Sequence, residues 1–440
     1  MPLPSILMSE RLFSHFAAEH LKALREHPSA PKYNFESSDL LTEESLQDVK
    51  NFARSTVGEP FWQEGSLPQW MPGFLQRVFR QVPYYREFGD VPVDFAAIPT
   101  VDRAELAAEI ERFIPDDVKP SELTVYFTSG TSGDKLVVPT EASVSSKVLV
   151  LLDRLAGFYG RSLPRGAGKV ALAAVFCQAE TLTYPSLSHY LEGAATLKVN
   201  LHHDSWNKAE DRGRYLTELA PEVITGCPHS LSVLSQVAPG LRPSLMVSSA
   251  VALSHGLRQE LEEQFQCPVV DVYSLTECKF IAADRGQGMA LLCPDLYVEI
   301  VDEKGRPLPS GERGEIVVTG GRNRCLPLLR YRTGDYAALR FVGGQPYLSD
   351  FQGRAPVEIV NSQGSLISNL DIIGALRDFP LVGFSFSQNA DRSFLLRFCG
   401  DCPPDKLVEV VSLATGLSGS AEKVESWNGK PQQFRTLNEE

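Results

Sequence analysis

Ser129-Gly130-Thr131-Ser132-Gly133-Asp134-Lys135 gathers three hydroxyls, two glycines and a lysine into seven positions. Small residues let a backbone approach a ligand closely, hydroxyls and exposed N–H groups donate to anions, and a lysine adds mobile positive charge. A phosphate is the ligand these types suit. The run is no Walker loop, which needs Gly-Lys followed at once by Ser or Thr; here Gly133 precedes Asp134, Lys135 and Leu136. Alone, it is equally compatible with a solvated turn.

Other clusters stand just past apolar, β-rich runs, where α/β sheets place their ligands. "VVDVYSLTEC" carries Tyr273, Ser274, Thr276 and Glu277. A tyrosine could stack on a base, a threonine donate to a phosphate, and a glutamate hold a hard cation such as Mg²⁺. "LLRYRTGDYAAL" puts Asp335 at a Gly turn, where a carboxylate could accept from both hydroxyls of a ribose. "FQGRAPVE" supplies Arg354, and "SWNGKPQQFR" sets Lys430 on a Gly-Lys turn. Separately, each has a bland reading: a strand-end carboxylate, a surface arginine, a solvated lysine.

These groups need elements to hold them. "SHFAAEHLKALREH" and "FLQRVFRQVPYYREFG" repeat apolar residues at helical spacing, the second as far as Pro83. From about Leu123, short runs ("LTVYFTS", "KVALAAVF", "PEVITG", "SLMVSSA", "PVVDVYS") alternate with helix-like stretches such as "SHGLRQELEEQF". That alternation is the signature of an α/β sheet with helices on its faces. After Asp295 the texture becomes strand and turn, and the tail mixes short strands with "NLDIIGALRDF" and "PDKLVEVVSLATG" as a small α+β unit. The expected organisation is a large domain over 1–352, whose first 72 residues are a divergent helical extension, and a small α+β domain over 353–440.

Bulk properties narrow the function classes. Lys plus Arg (42) against Asp plus Glu (55) leaves a net charge of −13, which argues against general nucleic-acid or anionic-membrane binding. "MPLPSILMSERLFSHF" lacks a basic n-region and a long apolar core, and no stretch approaches a membrane span. The expected location is the cytoplasm. Eight scattered cysteines fit reduced thiols rather than a disulfide scaffold, and Cys399-Cys402 has no second CxxC to complete a zinc site.

The order "FTSGTSGDK", "YSLTE", "LLRYRTGD", "GR" and terminal "GK" resembles the adenylate-forming superfamily of acyl-CoA synthetases, peptide-synthetase adenylation domains and luciferases. "VPYYREF", "PEVITGCPHSL" and "GEIVVTGGRNRCLPLLRYRTGD" look most like the phenylacetate-CoA ligase branch. The resemblance implies that a carboxylate attacks the α-phosphate of ATP, releasing pyrophosphate, and that a thiol then displaces AMP from the acyl-adenylate. It places Ser129, Gly130, Thr131, Ser132, Gly133 and Lys135 on the departing phosphates. Thr276 falls on the α-phosphate, Glu277 on Mg²⁺, and Asp335 and Arg354 on the ribose. Ser249 and Ala250 fall at the adenine beside Tyr273 and Ser274, and Lys430 is the lysine that bridges carboxylate and phosphate during adenylation. Phe176, Tyr184, Gly226 and His229 are expected in the acid pocket, although ordinary packing explains each as well.

The cofactors implied are ATP, Mg²⁺ and CoA or a carrier-protein phosphopantetheine. The implied substrate is an aromatic or arylalkyl acid, and a homodimer is the assembly the resemblance suggests. Three departures stand out. Ser274 replaces a usual glycine, "SSAVAL" lacks the glycines and acidic residue common in its segment, and Pro356 stands where the family commonly pivots on Asp or Lys. Proline fixes φ and biases Ala355 toward extended geometry. An enzyme that passes the acyl group to a carrier protein or an amine is therefore a second expectation. A non-catalytic nucleotide binder is a third, disfavoured because Thr276, Glu277, Asp335, Arg354 and Lys430 are all present.

Overall fold

The computed structural model describes residues 15–58, 61–119, 123–127, 136–292, 294–354, 356–361, 363–427 and 431–436. Ser129, Gly130, Thr131, Ser132, Gly133, Lys135 and Lys430 lie outside these. The chain divides into two compact units: residues 1–57, 142–253 and 257–271 form one, and 58–141, 254–256 and 272–440 the other.

The first unit is built on strands in the spatial order Leu245–Ser249, Val223–Gly226, Val170–Phe176, Ala194–Asn200 and Tyr184–Ser188. The first four run parallel and the last antiparallel. Parallel strands sealed by helices read as near-continuous apolar runs, as "VALAAVF" does. Tyr184–Ser188 contains Pro185, and its place at the sheet edge suits a residue with no N–H to give. The helix Pro228–Val237 follows Gly226 directly. A Cβ on Gly226 would lie 3.1 Å from both Leu231 and Val175, so the missing side chain lets helix and strand close together.

The second unit carries an antiparallel array in the order Leu296–Val301, Arg313–Gly320, Leu328–Val342, Gln345–Gln352, Met289–Leu291, Lys279–Asp284 and the part of Val269–Leu275 from Val272 on. Thr124–Phe127 and Val137–Thr140 pair as a separate hairpin. The helix Met71–Gln81 buries Met71, Leu75, Val78 and Phe79, the i, i+4, i+7, i+8 stripe of an amphipathic helix, and stops before Pro83.

Beyond residue 353, the strands Gly419–Lys423, Phe394–Gly400, Leu381–Gln388 and Phe434–Thr436 form a four-stranded sheet in that order. With the helices Asn369–Leu376 and Pro404–Thr415 it encloses Phe386, Phe394, Phe398, Ile372, Leu407 and Val411, all nearly sealed from solvent. At about 1.5–3 kcal/mol for each large apolar side chain buried, this is a core in its own right. A partly buried polar chain leads into it: Arg313 Nη2 donates to Gln352 Oε1 (2.7 Å), Gln352 Nε2 donates to Asn369 Oδ1 (3.2 Å), and the Val357 N–H donates to that same Oδ1 (2.8 Å). Among the described residues no helix is long and apolar enough to cross a membrane.

Candidate active site

In the second unit the end of the strand Val269–Leu275, from Val272 on, forms a tight hairpin with Lys279–Asp284. Leu275 pairs with Lys279, leaving Thr276, Glu277 and Cys278 as its turn. Lys279 closes that turn with φ 61°, a left-handed backbone that costs a non-glycine residue about 1 kcal/mol. Its ammonium lies 4.2 Å from the ring centroid of Tyr126, in the strand that leads toward Ser129. Burial lowers the Lys279 pKa from the usual 10.5.

Glu277 is buried beneath the turn. Its Oε1 accepts from the Tyr331 hydroxyl at 3.0 Å and faces Arg103 Nη1 at 3.7 Å. Burial first, and then the Glu277 carboxylate, push the Tyr331 phenol well above its ordinary range, so at neutral pH it is a dedicated donor. Arg322 holds the turn from below, with only 1% of its surface exposed. Its Nη1 donates to the Cys278 carbonyl (2.8 Å) and to that of Phe280, while Nη2 and Nε grip both oxygens of Asp295 at 2.8 and 3.1 Å. The carbonyls on either side of Lys279 are thereby fixed by one guanidinium.

Asp335 is displayed by an irregularity of the sheet. Glu315 pairs with Tyr336 and Val317 with Arg332, so Thr333, Gly334 and Asp335 oppose the single residue Ile316 and bulge from the ladder. Local bonds define the bulge: Thr333 Oγ1 donates to the Ile316 carbonyl (2.9 Å), the Gly334 N–H to Glu315 (3.0 Å), and the Asp335 N–H to Thr333 Oγ1 (3.1 Å). Gly334 has φ 76°, the conformation glycine adopts without strain. Tyr273 donates its hydroxyl to Asp335 Oδ2 at 2.9 Å and meets Phe351 edge-on, with centroids 4.7 Å apart. Burial, followed by Asp335, raises its pKa strongly. A Cβ on Gly353 would fall 3.7 Å from Asp335 Oδ1, so the backbone just before Arg354 runs beside this carboxylate. The Arg354 side chain itself is exposed.

The strand bearing Asp335 is anchored by Arg330, also 1% exposed. It binds Glu299 (2.7 Å) and the carbonyls of Ala96, Ile98 and Gly305. The structure thus brings Tyr273, Thr276, Glu277 and Asp335 together on one hairpin and one bulge. Tyr273 serves there as a buried partner of Asp335 rather than as an exposed stacking surface.

Ser249, Ala250, Phe176, Tyr184, Gly226 and His229 all belong to the first unit. Ser249 ends its strand, and Ala250 takes φ 77°, so alanine occupies a conformation suited to the glycine this segment lacks. Gly226 shares the sheet face of Val175, against Leu231. Phe176 and Tyr184 are brought together elsewhere: the Lys198 ammonium lies 5.0 and 5.9 Å from their ring centroids. His229 stands in the first turn of Pro228–Val237, with a pKa lowered by burial.

Residues 84–323, more than half of the chain, match the profile of the AMP-binding enzymes. The chain belongs to the AMP-binding enzyme family. The matched span includes Ser129, Thr276 and Glu277. The chain is 25% identical over 296 residues to phenylacetate-coenzyme A ligase of Escherichia coli (strain K12), which covers 60% of this chain and 64% of that protein. Over 295 residues it is 25% identical to the enzyme of that name from Aromatoleum evansii, with the same shares of 60% and 64%. It therefore spans a little under two thirds of these relatives. The crystal structure of 2-hydroxyisobutyryl-CoA ligase in the postadenylation state, in complex with R3-HIB-AMP, aligns with a TM-score of 0.61 at 16% identity, covering 93% of this chain and 97% of that one. That likeness shows the fold. The chain is a member of the adenylate-forming superfamily near the phenylacetate-CoA ligase branch, as its motif order implied.

Four residues of the site escaped the sequence reading: Arg103, Lys279, Arg322 and Tyr331. Arg322 and Tyr331 lie within the quoted "GRNRCLPLLRYRTGD", yet nothing local to them points to a hairpin about fifty residues earlier. Lys279 could have been noticed as a cation two positions after Glu277.

Proposed function

We propose that the protein uses ATP to convert a carboxylic acid, aromatic or arylalkyl by its branch, into an acyl-adenylate, and then transfers the acyl group to the thiol of CoA. The observation that carries this reading is the pair of fixed carboxylates in one unit, Glu277 held by Tyr331 and Arg103, and Asp335 held by Tyr273. Asp335 accepts from the ribose, Thr276 donates to the α-phosphate, and Lys279 adds a cation where Tyr126 leads into the Ser/Thr/Gly loop. Ser129 and Thr131 with neighbouring N–H groups take the departing pyrophosphate, and Lys135 assists. The order of events needs little covalent help from the protein. It needs two anions brought together, which is a matter of preorganised donors and cations.

Glu277 offers a hard oxygen donor of the kind Mg²⁺ selects. Tyr331 occupies Oε1, and among the described residues Oε2 has no hydrogen bond, so Oε2 is the atom that fits the ion. When bound, Mg²⁺ supplies charge neutralisation on the triphosphate. Residues 353–440 act in this reading as a small mobile domain that delivers Lys430 for adenylation and withdraws it for thioester formation. The working form we propose is a cytoplasmic homodimer, checked by light scattering.

Pyrophosphate exchange over a panel of aromatic, arylalkyl, aliphatic and amino acids tests the proposal. Exchange with one acid class, followed by CoA consumption and a thioester product, is expected. AMP release that requires a carrier protein or an amine would move the acceptor, and silence from every acid would overturn the enzyme.

A further inference from the structure

Just past the strand Ala194–Asn200, the chain places His202, His203 and Asp204 on a single 3₁₀ turn, with one ligating atom from each within 4.8 Å of the others. His203 Nε2 stands 3.2 Å from one oxygen of Asp204, and His202 Nδ1 stands 3.6 Å from the other. Two donors bound at about 2.1 Å to a tetrahedral ion sit about 3.4 Å apart. Each histidine nitrogen thus stands about one such edge from a carboxylate oxygen, and the two imidazole rings lie side by side with centroids 4.4 Å apart. His202 Nδ1 is moreover buried and has no hydrogen-bond partner, which is costly for an imidazole nitrogen unless something else engages it.

The turn is rigid before any ion arrives. Asn200 Oδ1 accepts from the His202 N–H (3.2 Å), Asn200 Nδ2 donates to Ser205 Oγ (2.9 Å), and Trp206 Nε1 donates to the Asn200 carbonyl (2.7 Å). Lys32 clamps the outside through its N–H to the Ser205 carbonyl (2.7 Å) and its ammonium to the Asp204 carbonyl (3.2 Å). None of these bonds uses an atom that would ligate. Two borderline imidazole nitrogens beside a single hard carboxylate favour Zn²⁺ over Mg²⁺ or Ca²⁺.

We propose that His202, His203 and Asp204 form a Zn²⁺ site with an open coordination position for water, separate from the Mg²⁺ carboxylate. Asn200 also accepts from the Gln178 N–H (3.1 Å) and pairs with Phe176 in the ladder. A cation on this turn therefore braces the strand ends that carry Phe176.

Calorimetric titration of the untagged chain with ZnCl₂ alone tests the site. One equivalent is expected to bind the wild type, with affinity lowered at least tenfold in His203→Ala and in Asp204→Asn, whose side chains are 70% and 75% exposed and so leave the fold intact. Cys177→Ser/Cys227→Ser should bind as the wild type does. No stoichiometric binding, undiminished binding in the two ligand variants, or binding that disappears with the thiols would each overturn the proposal.

Discussion

Lys279 joins two roles that substitution can separate, a left-handed backbone and a buried charge. Lys279→Gly relieves the backbone and removes the cation, whereas Lys279→Met removes the cation alone. Both should lower acid-dependent pyrophosphate exchange about 100-fold, the cost of losing one preorganised charge contact, and only the methionine variant should retain the strain. The charge also sets a pH signature. Because burial lowers the folded pKa below the unfolded 10.5, the folded chain releases its proton first, and stability rises with pH between the two values. In urea melts the wild type should gain on Lys279→Met as pH climbs toward 10.5 and show no such gain near pH 7. Ala250 offers a simpler case. At φ 77° glycine is the better residue, and Ala250→Gly should raise the urea midpoint by the equivalent of about 0.5–1 kcal/mol; a lower midpoint would remove the strain argument.

The hairpin that presents Thr276 and Glu277 is held by Arg322, not by its own turn sequence. Arg322→Met would leave Asp295 and the carbonyls of Cys278 and Phe280 without their partner, so a loss of about 3–5 kcal/mol is expected in chemical denaturation, together with loss of pyrophosphate exchange. If exchange persisted at the wild-type rate, the hairpin would not depend on this clamp. The strand runs and helix stripes around it were legible because their periodicity is written in consecutive residues: "VALAAVF", "SLMVSSA" and "HGLRQELEEQF" all become the elements expected. Motif residues were legible because turn chemistry and charge stand out at strand ends. The clamp was hidden because it joins Arg322 to residues 42 and 44 positions away, and no local rule carries a guanidinium across that distance. The antiparallel strand Tyr184–Ser188 was hidden for a different reason, since a proline inside a short polar run favours a loop until an edge position removes the objection.

The proposed reaction has two half-reactions on one chain, which ask for two arrangements of catalytic groups, and the proposal assigns Lys430 to the first. Lys430→Ala should abolish adenylate formation from acid and ATP while the reaction of preformed acyl-adenylate with CoA proceeds near the wild-type rate. Equal loss in both assays would place the lysine in a general structural role. The stretch after 353 has its own aromatic core, and Asn369 within it joins the partly buried Arg313–Gln352 pair near the exposed Pro356. The motion proposed for it would therefore have to pivot next to a polar joint and a residue of restricted φ.

The hydroxyl of Tyr273 on Asp335 has a consequence for the choice of nucleotide. In the proposed reaction the ribose meets a carboxylate whose orientation is set by the Tyr273 hydroxyl on Oδ2, so the two ribose hydroxyls should not be interchangeable. ATP lacking the 2′-hydroxyl and ATP lacking the 3′-hydroxyl should support exchange with different efficiencies, and Tyr273→Phe should narrow the gap. The ratio of the two deoxy substrates then reports which way the sugar faces, without any view of it bound.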